Sequence, residues 1–194
     1  MVQWSVDTAY DLWQISQAKK ATKPGDTRQT WKTPPTGWYK CNVDAAFYAD
    51  AGQGATGAAL RGSAGNFIAG RARWYPHGID ALMMETLACR DGMVLARDNS
   101  VERLQLETDC QELAVLWSRK TYKRSYLAAI FRDIEEISVN FIDFSLMYAN
   151  RSCNRVAHML AKQVTEDIRL GEWHSAPTCI DLLLTEDCNP VTHR

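Results

Sequence analysis

The hydrophobic pattern of residues 39–167 switches between the period of a β-strand and the period of an α-helix. Apolar residues recur at every second position in some stretches and at helical spacing in others, which predicts the order β-β-β-α-β-α-α-β-α. The predicted strands span residues 39–47, 54–62, 66–75, 101–109 and 143–150, and the predicted helices span residues 79–99, 111–117, 125–141 and 152–167. Strands joined by short turns pair antiparallel, whereas strands separated by helices pair in parallel, so we expect an α/β fold with a mixed sheet.

Short local signals mark the ends of three of these elements. The sequence "SAG" at residues 63–65 is typical of a hairpin turn in which Gly65 takes a positive φ angle. Asp80 and Ser152 precede two apolar helical patterns, so we expect their side chains to cap the first turn of each helix.

The two ends of the chain differ in composition from its middle. Residues 3–20 distribute aromatic and aliphatic side chains among polar ones, which predicts an irregular amphipathic helix. Residues 21–36 are rich in Lys, Thr, Pro and Gly, and we expect a mobile or extended linker there. The sequence therefore divides into an N-terminal helix and linker (residues 1–37), a central domain (38–167) and a C-terminal tail (168–194).

The overall charge and the cysteines restrict the classes of protein that fit. A formal net charge of −1 lacks the basic signature of many nucleic-acid-binding proteins, so such binding would need a local basic patch. The six cysteines form no C-x-x-C pair and no zinc-like spacing, which is typical of free thiols in a reducing compartment. No apolar run is long enough for a signal peptide or a membrane span. We therefore expect a soluble intracellular protein, in the nucleus or cytoplasm, with no membrane partner.

Three acidic residues stand at positions where the predicted fold would bring them together. Asp44 lies within the apolar first strand, Glu85 lies on the first long helix, and Asp109 ends the fourth strand. Each alone could be a solvated carboxylate or, for Asp109, a helix cap. If the first and fourth strands are neighbours, however, the three carboxylates repel one another unless a cation neutralises them. An oxygen-rich cluster of this kind suits Mg²⁺, and two such ions can promote phosphodiester cleavage.

The motifs "CNVDAAF", "METLACRDGM", "LETDC" and "NRVAHMLAK", in this order, resemble the ribonuclease H fold. The sequence is most similar to the ribonuclease H-type domains of plant reverse transcriptase-like proteins derived from non-LTR retroelements. The resemblance covers residues 38–167 and implies a five-stranded mixed sheet in the order 3-2-1-4-5, flanked by helices. It also implies nucleic-acid binding and, in active members, cleavage of the RNA strand of an RNA–DNA hybrid with two Mg²⁺ ions.

The resemblance assigns Asp44, Glu85 and Asp109 to the catalytic metal ligands, with His158 at the position of a fourth acid. Imidazole is a poorer Mg²⁺ ligand than carboxylate, so the resemblance implies two Mg²⁺ or Mn²⁺ ions with Mn²⁺ relatively favoured. Two interpretations of His158 stay open: a metal ligand or general acid/base, or an inert residue at the edge of the cleft. The segment "YANRSCN" also lacks the glycine and histidine of the cellular enzymes' loop, which implies slow turnover.

Two sets of residues are candidates for contact with nucleic acid. The basic connector "SRKTYKRS" occupies the place of a basic handle in larger family members, although it could equally be a solvated connector. Polar residues near the inferred site could reach ribose 2′-hydroxyls. The candidates are Arg119, Lys120, Lys123 and Arg124 in the connector, and Asn42, Gln111 and Asn154 near the site.

Two functions therefore remain open. The first is a metal-dependent endoribonuclease acting on RNA–DNA hybrids, which the three acids favour. The alternative is a catalytically inactive ribonuclease H-like module for nucleic-acid or protein binding, which His158 and the missing loop histidine favour. In either case a protein partner could bind through the N-terminal helix or the C-terminal tail.

Overall fold

The computed structural model describes residues 29–188, and its six β-strands form one sheet in the order β5-β4-β1-β2-β3-β6. The strands are β1 (Tyr39–Tyr48), β2 (Gln53–Arg61), β3 (Phe67–Tyr75), β4 (Arg103–Thr108), β5 (Asp143–Tyr148) and β6 (Leu170–Trp173). The helices are α1 (Ala81–Asp98), α2 (Gln111–Arg119), α3 (Ala128–Ser138), α4 (Arg155–Ala161) and α5 (Asp181–Cys188). Within residues 29–188, no helix has the length and apolar character needed to cross a membrane.

The predicted mixed sheet is confirmed, but its strand number is wrong. β1, β2 and β3 form an antiparallel meander, and β4 pairs in parallel with both β1 and β5. The five predicted strands lie in the predicted order. A sixth strand, β6, pairs antiparallel with the outer edge of β3 and extends the sheet. Its four residues, "LGEW", are too few to show an alternating pattern, and they lie in the segment predicted as a tail.

Two of the three local signals are confirmed. Gly65 has a φ angle of 81°, and the Asp80 side chain accepts a hydrogen bond of 2.8 Å from the Met83 backbone N–H at the start of α1. The prediction for Ser152 is wrong, because residues 151–153 form a 3₁₀ turn and α4 begins at Arg155. The side chain of Asn150 caps this turn by accepting a hydrogen bond from the Ser152 N–H.

β1 is a central strand with both faces covered, whereas its sequence pattern predicted one packed face. Residues 40–44 are all buried. On one face, α1 approaches so closely that a Cβ atom on Gly92 would lie 2.4 Å from Val43 Cγ1. On the other, α4 lies over β2, where a Cβ atom on Gly57 would meet the Ala157 carbonyl oxygen at 2.3 Å. These two close contacts fix α1 and α4 relative to the centre of the sheet.

The segment before β1 packs against the domain around a buried arginine. Trp31 is 4% exposed, and the guanidinium carbon of Arg61 lies 3.5 Å from the centre of a Trp31 ring. Arg61 is fully buried, and its Nη1 lies 2.6 Å from Asp187 Oδ2 on α5. Trp31 is therefore packed against the domain, within a segment that was expected to be a mobile or extended linker. The predicted N-terminal helix and linker residues 21–28 lie outside the described residues.

Candidate metal centre

The sheet brings the three predicted carboxylates to one place. β1 and β4 are parallel neighbours with Val43 opposite Thr108, so Asp44 and Asp109 follow at the same level of the sheet. Glu85, in the second turn of α1, completes the group. One carboxylate oxygen from each residue lies within 4.8 Å of those of the other two. Among the described residues, no other set of Asp, Glu, His and Cys side chains forms such a group.

Burial and mutual repulsion raise the pKa values of two of these carboxyls. Burial is the largest cause of the raised pKa of Glu85, followed by the negative charges of Asp44 and Asp109. Burial and the charge of Asp44 raise the pKa of Asp109 to about 6. The site therefore concentrates negative charge in a partly dehydrated place, and a divalent cation would relieve both the repulsion and the loss of solvation.

His158 contacts the first of these carboxylates directly. Its Nδ1 lies 2.6 Å from Asp44 Oδ2, and its side chain is 49% exposed. The imidazole reaches Asp44 because α4 lies over the face of the sheet that carries Asp44. His158 is thus a hydrogen-bonding partner of Asp44, while the group of three mutually close ligand atoms consists of Asp44, Glu85 and Asp109.

Arg151 is a further residue at the centre and was not among the residues predicted from the sequence. Its Nε lies 3.2 Å from Asp109 Oδ2, and its positive charge lowers the pKa values of both Asp109 and Glu85. The sequence contained a usable signal, because Arg151 closely follows β5. The carboxyl ends of adjacent parallel strands meet at one edge of a sheet, so residues after β4 and β5 are expected to be neighbours.

Two predicted nucleic-acid contacts, Asn42 and Asn154, have buried side chains that bond other parts of the protein. Asn42 accepts hydrogen bonds from Trp31 Nε1 and Arg61 Nη2, at 2.9 and 2.8 Å, and its amide donates to Glu107. The Asn154 amide donates a hydrogen bond of 2.8 Å to the Val43 carbonyl and joins the start of α4 to β1. Asn42 thus bonds interior groups through both its oxygen and its nitrogen, whereas Asn154 Oδ1 is buried without a hydrogen-bond partner among the described residues.

The other predicted contacts lie on the surface, on α2 and the 3₁₀ turn that follows it. The turn is anchored by the buried Tyr122, whose ring stacks on Phe131 with centroids 4.2 Å apart and whose hydroxyl donates to Glu135. Lys120 Nζ lies 3.9 Å from Glu135 Oε1, which is a long ion pair. The basic connector is thus an ordered turn with its charged side chains outside. The exposed candidates are Gln111, Arg119, Lys120, Lys123 and Arg124.

Several solved structures share this fold. Ribonuclease H1 from the halophilic archaeon Halobacterium salinarum matches 67% of this chain and 98% of its own, with a TM-score of 0.60 and 20% identity. An N-terminal ribonuclease H domain from Mycobacterium tuberculosis matches 65% of this chain and 91% of its own, with a TM-score of 0.60 and 14% identity. LC11-RNase H1, from a compost metagenome, has a TM-score of 0.58 and 12% identity and covers 66% of this chain and 97% of its own. Its structure contains an RNA/DNA hybrid.

The sequence itself supports a family assignment over most of the domain. A search of curated proteins found no significant match. Residues 42–164, however, match the sequence profile of the family described as reverse transcriptase-like. This range includes Asp44, Glu85, Asp109 and His158, and it extends from β1 through α4. With a ribonuclease H fold and a family profile that matches more than half of its residues, the chain belongs to the reverse transcriptase-like family.

Proposed function

We propose that this domain is a metal-dependent endoribonuclease that cleaves the RNA strand of RNA–DNA hybrids. The observation that carries the proposal is the convergence of Asp44, Glu85 and Asp109, whose ligand oxygens lie within 4.8 Å of one another in a ribonuclease H fold. The hybrid bound to LC11-RNase H1 supports the choice of substrate. The order of the four sequence motifs supports the finer assignment to the plant, retroelement-derived group.

The donor set fits Mg²⁺ or Mn²⁺. All three groups offer oxygen ligands, and burial together with the neighbouring negative charges raises the pKa values of Glu85 and Asp109. Asp44, Glu85 and Asp109 would hold two ions, which when bound supply charge neutralisation and a more acidic water molecule. His158, through its 2.6 Å contact, orients the carboxylate of Asp44. In the proposed hydrolysis, the oxygen of water bonds to phosphorus and gives up a proton to solvent, the bond to the leaving ribose oxygen breaks, and the ribose oxygen takes up a proton from solvent.

The exposed side chains on α2 and the following turn are the proposed binding surface for the nucleic-acid backbone. Arg119, Lys120, Lys123 and Arg124 offer positive charge, and Gln111 lies two residues after Asp109. Such contacts to phosphates would weaken as salt rises. The six free cysteines support a reducing, intracellular setting for this activity.

A catalytically inactive binding module is the second candidate, and His158 favours it. A neutral imidazole beside Asp44 supplies no negative charge to the centre, so Mg²⁺ would bind less tightly than to four carboxylates. The surface described above would still bind nucleic acid. A protein partner for residues 1–37 or 168–194 is a further proposal of this kind.

Cleavage of a labelled RNA–DNA hybrid by the purified protein tests the proposal. We expect slow cleavage in Mg²⁺, faster cleavage in Mn²⁺, and none with Asp44→Asn in either metal. His158→Asp adds a fourth carboxylate, and we expect it to raise the Mg²⁺-dependent rate roughly tenfold or more. The control is Asp143→Asn, which removes an exposed carboxylate paired with Arg103 and should leave the rate unchanged.

The outcomes separate the two candidate functions. If wild type and His158→Asp both bind the hybrid but leave it intact in either metal, the module binds without catalysis. If neither variant binds the hybrid at low salt, where phosphate contacts are strongest, both nucleic-acid functions fail.

A further inference from the structure

Arg151 brings a positive charge to a centre composed mainly of carboxylates. Its Nε lies 3.2 Å from Asp109 Oδ2, yet the side chain is 82% exposed. A guanidinium has five N–H donors, so most of them are accessible to a ligand that approaches the three carboxylates. The guanidinium is therefore both close to the centre and open to solvent.

The backbone that carries Arg151 is tied to the core. The Asn150 side chain accepts a hydrogen bond of 3.0 Å from the Ser152 N–H, which closes the 3₁₀ turn. At the end of the turn, Asn154 donates its 2.8 Å hydrogen bond to the carbonyl of Val43, the residue before Asp44. The turn therefore holds the base of the Arg151 side chain at a fixed place relative to β1, although the side chain itself is exposed.

Stability alone gives little reason for an arginine here. An ion pair with an exposed member contributes little to stability, because water screens the attraction and the side chain loses entropy. A guanidinium is instead well matched to a phosphate group, which it can bind through two parallel hydrogen bonds. A phosphodiester that enters this centre brings negative charge to a place already rich in carboxylates, and Arg151 is a cation close to them.

We propose that Arg151 is a catalytic residue that binds a non-bridging oxygen of the phosphate being cleaved. This inference rests on the proposed hydrolysis and names the residue that contacts the reacting group. Negative charge increases on the phosphate oxygens as water attacks, so a donor held there stabilises the transition state. Arg151 exchanges its contact with Asp109 for one with the phosphate, and the Asp109 oxygen becomes available as a metal ligand.

The test compares Arg151→Ala and Arg151→Lys with a matched control, Arg155→Ala. Arg155 lies four residues further along the chain and is also exposed, but its guanidinium pairs with Glu186 on α5. Three quantities are measured: the cleavage rate in saturating Mn²⁺, the salt dependence of hybrid binding in Ca²⁺ by fluorescence anisotropy, and the Mn²⁺ affinity of the free protein by calorimetry.

We expect Arg151→Ala to slow cleavage roughly 100-fold, as loss of one transition-state donor does in other enzymes. The slope of log Kd against log salt should decrease by about 0.7–0.9, the value for one phosphate contact. Mn²⁺ affinity should stay equal or rise, because a competitor for Asp109 is gone. Arg151→Lys should restore the salt slope and part of the rate, and Arg155→Ala should change the rate less than about twofold.

Two outcomes would overturn this inference while the proposed function stands. The first is that wild type cleaves the hybrid and Arg151→Ala has the same cleavage rate and the same salt slope. Arg151 would then form only an ordinary surface ion pair. The second is that Arg151→Ala cleaves more slowly and binds Mn²⁺ more weakly, while its slope of log Kd against log salt is unchanged. Arg151 would then only position Asp109. If wild type neither binds nor cleaves the hybrid, the proposed function and this inference both fail.

Discussion

Asp109 shows how a single carboxylate at the centre can oppose folding. Its folded-state pKa of about 6 exceeds the ordinary value of 3.8, because burial and Asp44 disfavour its charge. Below the ordinary value the group is neutral in both the folded and unfolded chains. As pH rises through about 6, the folded protein must lose a proton that it holds more tightly than the unfolded chain does, so stability is lost.

Asp109→Asn should therefore stabilise the metal-free protein at pH 7.5. Because the amide carries no charge at any pH, we expect Tm in EDTA to rise by about 3 °C at pH 7.5, with the gain disappearing near pH 4. Thermal unfolding followed by circular dichroism at both pH values measures this difference. Asp143→Asn is the matched control on an exposed carboxylate and should leave Tm unchanged at both values. An equal gain at both pH values would contradict the electrostatic explanation.

The sequence predicted the acidic residues of the centre better than it predicted the polar residues around them. The proximity of Asp44 and Asp109 was predicted on the condition that the first and fourth strands are neighbours, an order that the resemblance to the ribonuclease H fold implied and that the β1–β4 register bears out. The burial of Asn42 was not predicted, because alternation along β1 predicted one packed face. The second face is covered by Trp31 and α4, which are distant in sequence, and no local pattern reveals such coverage.

At the scale of elements, the position of α4 depends on a glycine in the neighbouring strand. Gly57 lies opposite Asp44 in the β1–β2 register, and the backbone of α4 passes directly over it. Since backbone atoms on a packed helix cannot yield as a flexible side chain can, any side chain at residue 57 must displace α4. α4 carries His158, so packing at Gly57 and the contact between His158 and Asp44 are linked.

Gly57→Ala should destabilise the domain and disturb the centre together. We expect a loss of about 3 kcal/mol in the free energy of unfolding, because the new Cβ would lie 2.3 Å from the Ala157 carbonyl oxygen. Urea denaturation measures the loss, and Mn²⁺ titration should show weaker binding. In Gly62→Ala the nearest atom is the end of the Asn66 side chain, so this control should cost less than about 1 kcal/mol. Similar losses in the two variants would argue against helix displacement.

Strand and helix boundaries were predictable only where the local pattern was long enough. The 18 residues of α1 repeat their apolar pattern over several turns, and Asp80 marks their start. β6 has only four residues and pairs with β3. Its formation depends on this pairing with a distant strand, so its own sequence does not reveal it. The start of α4 was misplaced because Ser152 and Asn154 are both typical caps. Contacts with distant residues distinguish them, since the Ser152 hydroxyl donates to the Gln29 carbonyl and the Asn154 amide donates to the Val43 carbonyl.

Across the whole molecule, Arg61 connects segments that are far apart in sequence. Its guanidinium contacts Trp31 before the sheet, Asn42 within it and Asp187 on the last described helix. A buried charge is costly unless it is paired and fully hydrogen-bonded, so removal of a partner is more damaging than loss of an exposed ion pair. These contacts indicate that residues on either side of the central strands contribute to the stability of the domain.

Asp187→Ala should lower the free energy of unfolding much more than Glu186→Ala does. We expect it to lower the free energy of unfolding by about 3 kcal/mol, because Arg61 would keep a buried charge without its carboxylate partner. Glu186→Ala removes only an exposed pair with Arg155 and should cost about 0.5 kcal/mol or less. Chemical denaturation of both variants compares a buried with an exposed pair on the same helix. Equal losses of stability in the two variants would show that the Arg61–Asp187 pair contributes little to the stability of the domain.

The meeting of Trp31 and Asp187 at Arg61 also determines how this domain can be rearranged. Thr30, Trp31, Asp187 and Cys188 line one open cleft, so residues 30–31 and 187–188 of the polypeptide lie close together. A short glycine–serine peptide joining residues 188 and 29 would close the backbone into a ring, and new termini could be opened at the exposed residues 49–51. The same proximity suits insertion into a surface loop of a host protein, where two neighbouring attachment points are all that a guest domain requires.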